Sequence, residues 1–285
     1  MWRPARCAPL GPALLLLLAV LLPLLAGDGR GLDPAVARAQ ASPCDTDPTA
    51  CLPAAAVPGL GASLGPWTRS IVCPVLYTHE VPAAALFRRV LVALLASGYH
   101  PTSLASVDAA MSGAADPPPG CLVLTFDDAL YSQYLNALPV LSELGLPAVF
   151  FVLPAFGDGV HRYMGAAELQ ALAVAGHEVE AHTCNHPNLP LLARLNLNAF
   201  LAEVQDCKRQ LEAIIGLPVN YLAYPFGAYD ATVLDAVAHA GYRAAFTTRA
   251  AAVLAASAPL SLPRIRYDPA EAPLAIIRRI RAAGG

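Results

Sequence analysis

Cys-Leu-Val-Leu-Thr-Phe-Asp-Asp occupies residues 121–128, an apolar run that ends abruptly in two adjacent carboxylates. A short apolar run bounded by polar residues is typical of a buried strand, so the carboxylates are expected at a strand end. Residues 182–186 read His-Thr-Cys-Asn-His and close a second run of this kind. A carboxylate and two imidazoles can share one divalent cation, and the other carboxylate would then remain free to act as a base.

From residue 71 onward, strand-like and helix-like patterns alternate along the chain. The strand-like segments are residues 71–77, 121–126, 148–153, 177–181, 221–224, 243–247 and 262–266. The helix-like segments are residues 83–97, 132–144, 166–175, 196–215, 231–240 and 270–282. Strands separated by helices of this length are expected to pair in parallel. Seven such units indicate an α/β domain built as a closed or nearly closed β/α barrel rather than an open doubly wound sheet.

Glycines and polar residues sort to opposite ends of the predicted strands. A glycine follows each of five helical stretches, where a left-handed residue commonly ends a helix: Gly98, Gly145, Gly176, Gly216 and Gly241. The strand ends carry a different set: His79, Asp127, Asp128, His182, Pro225, Thr247 and Arg266. In parallel barrels the chemistry lies beyond the carboxyl ends of the strands, so this second set predicts the active site.

The first 26 residues have the form of a secretory signal peptide, because two arginines precede an unbroken apolar stretch at residues 13–22. Cleavage is expected near residue 26 or as late as residue 39, and an uncleaved signal anchor is the alternative. Residues 27–67 are rich in Pro, Gly and Ala and are predicted to be a linker. Residues 68–285 are then a single catalytic domain, exported to the periplasm, cell envelope or extracellular space, with no stable membrane span after cleavage.

Seven cysteines are present, one of them in the leader, and the remaining even number permits disulfides in an exported chain. Cys44 and Cys51 enclose a short loop and are the favoured pair. Cys73 and Cys121 each lie six residues before a residue at a predicted strand end, so their sulfurs would be level if the two strands are parallel neighbours. The alternative for Cys73, Cys121 and Cys207 is that each is a small buried apolar side chain.

Four motifs occur in succession: Thr-Phe-Asp-Asp at 125–128, Phe-Phe-Val at 150–152, Gly-His-Glu-Val-Glu-Ala-His-Thr-Cys-Asn-His-Pro at 176–187, and Tyr-Pro-Phe-Gly-Ala-Tyr-Asp at 224–230. Together they resemble the motifs of the polysaccharide deacetylases, the NodB-homology family, also called carbohydrate esterase family 4. The similarity spans roughly residues 71–268. Membership would imply a distorted (β/α)7-type barrel and the metal-dependent removal of N- or O-acetyl groups from carbohydrate.

Carried over by motif position, the resemblance makes Asp127 the general base. It makes Asp128, His182 and His186 the metal ligands. Zinc is the expected ion for this ligand set, with cobalt, nickel and iron(II) as alternatives. A divalent cation held by three protein ligands would lower the pKa of a water molecule and polarise the acetyl carbonyl.

Two further roles also come from the resemblance. The last of the four motifs, which begins Tyr224-Pro225-Phe226, corresponds to what the family counts as its third motif and implies an oxyanion contact from a backbone N–H near Phe226. The strand at residues 74–81 resembles the amino-terminal strand of permuted family members, such as exopolysaccharide poly-N-acetylglucosamine deacetylases, in which a histidine is the proposed general acid. His79 is the corresponding residue here, and the alternative is a strand-end histidine bonded to backbone.

The sequence departs from the family pattern at Ala223, where the third motif usually begins with an arginine that tunes the base. Arg264 or Arg266 would then supply the charge-assisted bond that orients Asp127, with a surface arginine as the alternative for each. Three tyrosines are candidates for stacking on sugar rings, with core packing as the alternative: Tyr77, Tyr224 and Tyr229.

The sequence therefore predicts a metal-dependent hydrolase that removes N-acetyl groups from an N-acetylglucosamine-containing polysaccharide of exopolysaccharide, peptidoglycan or chitin-like type. An O-acetyl esterase acting on xylan-type polymers and a catalytically inactive glycan-binding barrel are the alternatives. The formal net charge of −3 and the lack of Lys/Arg clusters argue against nucleic acid or an acidic membrane surface as a partner.

Overall fold

The computed structural model describes residues 65–156 and 162–285. Its strands are β1 (Ile71–Val72), β2 (Val75–Thr78), β3 (His100–Pro101), β4 (Cys121–Asp127), β5 (Val149–Val152), β6 (Glu178–Ala181), β7 (Tyr221–Ala223), β8 (Ala244–Phe246), β9 (Val253–Leu254) and β10 (Ile265–Arg266). Its α-helices are α1 (Ala84–Ala96), α2 (Leu104–Met111), α3 (Leu138–Leu144), α4 (Ala166–Val174), α5 (Leu189–Leu195), α6 (Leu197–Leu201), α7 (Cys207–Ile215), α8 (Ala231–His239) and α9 (Pro273–Ala282). One π-helical turn, Gln133–Ala137, leads into α3, and another, Ala202–Asp206, joins α6 to α7.

Parallel strands form one curled sheet in the order β10-β2-β4-β5-β6-β7-β8. The segment that carries β10 reaches both edges of this sheet. Leu262 bridges to Phe246 of β8, and Ile265 pairs with Leu76 of β2. The sheet therefore curls into a barrel-like ring, and the prediction of an α/β fold with a distorted (β/α)7-type barrel is confirmed.

The ring strands are buried on both faces, which explains their nearly continuous apolar sequences. Alternate side chains of β4 enter two different clusters. Val123 packs in the barrel interior with Phe151, and helix α2 contributes side chains to the same cluster. Leu124 and Phe150 pack in the outer layer, between the sheet and the surrounding helices.

Two features near the start of the domain differ from the sequence prediction. The strand predicted at residues 71–77 is interrupted, because Pro74 has no N–H to donate and only β2 enters the ring. The short strand β1 pairs antiparallel with β9 instead. The sequence analysis also misses α2, which has only eight residues and begins after Ser103, whose hydroxyl accepts the N–H of Ser106 at 3.1 Å.

Glycine ends helices as the sequence predicts. Gly145 directly follows α3 with a φ of 63°, and Gly216 directly follows α7 with a φ of 70°. A side chain is strained in this left-handed region, whereas glycine is not. These turns lead into the amino ends of the next strands, so the polar rim lies at the other end of the sheet.

Two disulfides cross the described part of the chain. Cys73 and Cys121 are joined, with their Cα atoms 4.9 Å apart. Their level position follows from the parallel register of β2 and β4, which sets Val75 opposite Val123. The second disulfide joins Cys184 to Cys207, a pair that the sequence analysis does not foresee. For these cysteines, the alternative of free buried thiols is therefore wrong.

The signal peptide, most of the predicted linker and the Cys44–Cys51 pair lie outside the described residues. Trp67, the last residue of that linker, already contacts the domain, since its indole N–H donates to Asp108 of α2 at 2.6 Å. Within the described ranges, no helix combines the length and the hydropathy that crossing a bilayer requires.

Candidate active site

The sequence-predicted polar residues meet at the carboxyl ends of three strands of the ring. His79 follows β2, Asp127 is the last residue of β4, and His182 follows β6. Asp128 and His186 lie in the loops directly beyond β4 and β6. The structure therefore gathers on one rim the side chains that the sequence analysis had taken from separate segments.

Asp128, His182 and His186 form a compact cluster of possible metal ligands. Asp128 Oδ1 lies 3.4 Å from His182 Nε2 and 3.6 Å from His186 Nε2. One possible ligand atom from each residue lies within 4.8 Å of those from the other two. Asp128 Oδ1 is buried yet accepts no hydrogen bond from any residue of the described ranges. An unsatisfied carboxylate oxygen facing two imidazole nitrogens fits a divalent cation well.

The protonation states suit that use. His182 Nδ1 lies 2.7 Å from the carbonyl oxygen of Ala223 and can only donate there, so Nε2 of the neutral ring carries the free lone pair. Burial lowers the pKa of His186, and the neighbouring His182 adds to this effect, which favours the neutral imidazole that binds metals. Burial raises the pKa of Asp128, but contact with His182 outweighs it and leaves this pKa below its usual range.

Strained backbone conformations are concentrated in the loops of this rim. The non-glycine residues with a left-handed φ in the described ranges are Asp128 (75°), Ala129 (55°), Thr183 (68°), His186 (54°) and Phe226 (59°). This region costs a residue with a Cβ about 1 kcal/mol or more. Such conformations persist only where the surroundings hold them, and they are common at functional sites.

The loop between the two histidines is held by the helical segment that ends in α7. The Glu203 carboxylate accepts the N–H of Cys184 at 2.8 Å and that of Asn185 at 3.0 Å, and it also accepts the Asn185 amide at 2.7 Å. The Cys184–Cys207 disulfide adds a covalent link to the start of α7. The sequence analysis misses Glu203, because a single glutamate in a helical stretch carries no signal of its own.

Asp127 is almost completely buried and is paired with Arg264. The guanidinium Nη1 donates to Oδ1 and Nη2 donates to Oδ2, each at 2.7 Å. Burial raises the pKa of Asp127, but the positive charge of Arg264 outweighs it and holds this pKa below its usual range. Asp127 is therefore an ionised carboxylate with a fixed orientation.

Arg264 has no solvent exposure and is enclosed on several sides. Its guanidinium carbon lies 4.5 Å from the centre of the Tyr77 ring, and Nε donates to the carbonyl of Thr247 at 3.2 Å. Of the two arginines that the sequence offers as partners of Asp127, the structure therefore brings Arg264 to it. Arg266 lines a surface cavity instead, and no contact from its side chain to Asp127 is found among the described residues.

His79 occupies the open side of the cluster. Its Nε2 lies 3.9 Å from Asp128 Oδ2, and its side chain keeps 37% of its exposure. A cavity of about 310 Å³ opens beside it, lined by Glu80, Arg266 and Asp268 among others. His79 is therefore within reach of a molecule that enters the rim.

The third motif is divided between core and surface. Tyr224 is fully buried and its hydroxyl donates to the carbonyl of Leu260 at 2.8 Å, so its ring belongs to the core, as does that of Tyr77. Pro225 is buried as well, whereas Phe226 is 65% exposed. The Phe226 ring lies 4.6 Å from the His186 ring, measured between centroids, and so borders the metal-ligand cluster. Tyr229 keeps 38% of its exposure and stacks on Tyr224.

Comparison with known proteins adds an independent line of evidence. Residues 114–245 match the family described as polysaccharide deacetylase. The Bacillus subtilis protein YxkH, provisionally named a polysaccharide deacetylase, is 25% identical over 173 residues, which cover 61% of each chain. A chitooligosaccharide deacetylase of Sinorhizobium fredii is 30% identical over 122 residues, which cover 42% of this chain and 54% of that one. The chain thus spans between half and two thirds of these relatives.

One solved structure shares nearly its whole length with this chain. The Streptococcus pyogenes deacetylase PplD, determined in complex with acetate, superposes with a TM-score of 0.67 at 25% sequence identity. The superposition covers 74% of this chain and 99% of that one. The parallel ring described above is therefore a fold that a deacetylase uses.

Proposed function

We propose, from the match of residues 114–245 to the polysaccharide deacetylase family, that this chain is a metal-dependent hydrolase that removes N-acetyl groups from an N-acetylglucosamine-containing polysaccharide. The match itself confirms the resemblance predicted from the motifs. The observation that best supports the reaction is the unsatisfied Asp128 Oδ1, which faces two imidazole nitrogens beside an ionised, oriented Asp127.

Asp128, His182 and His186 would hold the cation, since their donor atoms converge and the buried Asp128 Oδ1 has no hydrogen-bond partner in the described ranges. When bound there, a divalent cation supplies Lewis acidity that polarises an acetyl carbonyl and lowers the pKa of a water molecule. Zinc is the ion we expect, because catalytic zinc sites commonly have three protein ligands of these types and one open position.

Asp127 would take the proton from the attacking water. Each of its oxygens accepts one N–H from Arg264 and keeps a further lone pair for a second partner. The low pKa keeps the carboxylate ionised at neutral pH, and Arg264 fixes the direction in which it accepts the proton.

His79 would donate a proton to the departing amine, which is a poor leaving group when it is not protonated. Its ring lies on the open side of the cluster, next to the cavity, where the sugar nitrogen has access. The backbone N–H of Phe226 would stabilise the oxyanion that develops on the acetyl oxygen. The exposed Phe226 ring offers apolar surface for the acetyl group or the sugar.

Export is part of the proposal. Two disulfides lie in the described part of the chain, and such bonds persist chiefly in oxidising compartments outside the cytosol. An envelope or extracellular location would also give the protein access to a polysaccharide substrate.

The decisive experiment measures two products on two substrates. Purified protein is stripped with a chelator, reloaded with Zn²⁺, and incubated with N-acetylglucosamine oligomers or with acetylated xylan. We expect equal amounts of free amine and acetate from the oligomers, only with the reloaded protein. Acetate from xylan without amine from the oligomers would establish an O-acetyl esterase instead. No product from either substrate with the reloaded protein would contradict a hydrolase.

A further inference from the structure

Gln133 makes a buried bridge between the loop that begins with His79 and the end of β4, which carries Asp127. Its side chain has no solvent exposure, and Nε2 donates to the carbonyl oxygen of His79 at 2.6 Å and to that of Asp127, also at 2.6 Å. One amide group therefore contacts the backbone of both residues that the proposed mechanism uses for proton transfer.

The bridge stands where the backbone ladder ends. Strands β2 and β4 pair from Val75 opposite Val123 as far as Thr78 opposite Phe126. His79 and Asp127 are the next residues along the two strands. Asp127 still pairs with Phe151 of β5, whereas His79 has left the ladder, so the spacing of the two residues depends on what holds the loop after β2. Gln133 supplies a link immediately beyond the last paired residues of β2 and β4.

The segment around Gln133 makes further contacts with the loop after β2. Gln133 begins the π-helical turn Gln133–Ala137, an element often found at functional sites. Asn136 Nδ2 donates to the carbonyl of Val81 at 2.7 Å, and the Ser132 hydroxyl accepts the N–H of Val81 at 3.3 Å. Three side chains of one short segment thus fasten the loop after β2.

The arrangement carries a cost. Gln133 Oε1 is buried and has no hydrogen-bond partner among the described residues. An unsatisfied buried acceptor destabilises a fold. Because the amide keeps this position although its oxygen is unpaired, we attribute the role of Gln133 to its two N–H donors. An amide offers two such donors without carrying a charge.

We propose that Gln133 is a positioning residue that sets the distance and orientation of His79 relative to Asp127. The inference rests on the proposed function, in which His79 donates and Asp127 accepts the proton. Loss of the bridge should displace His79, because Gln133 holds the His79 carbonyl directly, whereas the Ser132 and Asn136 contacts hold the loop two residues further on, at Val81. The amine would be protonated less efficiently while the metal ligands remain in place.

The test compares an amide with an activated ester. Gln133→Met keeps the length of the side chain and removes both donors, and Gln170→Met is the matched control, because Gln170 is a surface glutamine that contacts the carbonyl of Ile214. We expect Gln133→Met to bind Zn²⁺ at full stoichiometry and to lose about 100-fold in kcat on the N-acetylglucosamine oligomer, as a displacement of about 1 Å can cause. Hydrolysis of 4-nitrophenyl acetate, whose leaving group needs no proton, should fall less than about threefold.

Equal losses on amide and ester, or no loss on either, would overturn the proposal. Gln133→Asn, which keeps the amide on a shorter side chain, is the second variant if Gln133→Met does not fold. If neither variant folds, Gln133 is a structural residue and the proposal is wrong.

A second readout does not depend on turnover. The imidazole 15N resonances of His79 in the Zn²⁺-loaded protein should move in Gln133→Met and stay in place in Gln170→Met. If the wild-type protein shows no deacetylation but the resonances move, the proposed function fails and the positioning role stands. If deacetylation is intact in the wild type and the resonances do not move, the positioning role is wrong.

Discussion

Arg264 and Asp127 lie 137 residues apart in the sequence and form a two-point contact, with both N–O distances at 2.7 Å. Ala223, where the resemblance would place a supporting arginine, carries no charge, and the positive charge beside Asp127 comes from Arg264, which directly precedes β10. The Arg264 guanidinium thus fixes the orientation of the Asp127 carboxylate from a part of the chain far from residue 223.

Replacing Arg264 with methionine should leave Asp127 as a buried, unpaired carboxylate. Breaking a buried ion pair on one side typically costs about 3–5 kcal/mol, and we expect a loss of this size in the free energy of unfolding. Urea denaturation measures it. The double variant Arg264→Met with Asp127→Leu should recover part of the loss, and a single variant that is as stable as the wild type would contradict the buried pair.

The ligand variants should separate metal binding from turnover. Asp128→Ala and His186→Ala each remove a donor atom from the cluster, so metal and deacetylation should be lost together. Asp127→Asn keeps the three donors and should retain Zn²⁺ while turnover falls by about 100-fold or more. Elemental analysis and amine release on the same samples provide the test. Full metal stoichiometry in Asp128→Ala would refute the ligand assignment.

His79→Ala should affect amides far more than activated esters. A general acid contributes about 10²–10⁴-fold where the leaving group must be protonated, and little where it need not be. We expect kcat on the N-acetylglucosamine oligomer to fall within that range while hydrolysis of 4-nitrophenyl acetate changes only slightly. Parallel losses on both substrates would remove His79 from the acid role.

The two disulfides should have different effects on the metal site. Cys184 lies between two proposed ligands, so the Cys184→Ala/Cys207→Ala variant should bind Zn²⁺ about 10- to 100-fold more weakly. The matched control, Cys73→Ala/Cys121→Ala, opens a longer loop, 48 residues against 23. Chain entropy predicts a stability loss of about 4 kcal/mol for the control and about 3 kcal/mol for the first variant.

Competition titration with a chromogenic chelator should find wild-type Zn²⁺ affinity in the control. Equal weakening in both variants would mean that the metal responds to overall stability alone.

His177 predicts how stability depends on pH. It is buried, neither ring nitrogen has a hydrogen-bond partner in the described ranges, and burial lowers its pKa from 6.5 to about 4. Between these two values the unfolded chain binds a proton that the folded chain does not, so folding stability is lost as the pH falls. The free-energy difference between wild type and His177→Leu should change in favour of the variant by about 2 kcal/mol from pH 7 to pH 5. Urea denaturation at both pH values measures it, with the exposed His239→Leu as the control. A difference that does not vary with pH would mean that His177 is not kept neutral by burial.

Much of the site follows from local sequence. Asp127 and Asp128 are recognisable because they end an apolar strand, and parallel strands bring their carboxyl ends to one rim, so the convergence with His182 follows from topology. The glycines that end helices can also be predicted from the sequence. A helix commonly ends with a residue in the left-handed conformation, which glycine adopts without strain.

The supporting residues do not follow from sequence, because their roles depend on long-range contacts. Glu203 and Gln133 are ordinary polar residues of helical segments, and only the packed structure shows which backbone groups they reach. The sequence could narrow the partner of Asp127 to two arginines, but the register of β10 beside β2 decides between them. The Cys184–Cys207 pair likewise depends on where α7 packs.

The segment from Leu262 to Arg266 joins the two edges of the sheet and also carries the guanidinium that holds Asp127. Closure of the ring and ion pairing of Asp127 therefore depend on one short stretch of the chain. A cut just before Leu262 should remove both together, so proteolysis at this point would inactivate the proposed hydrolase even where the other strands stay folded.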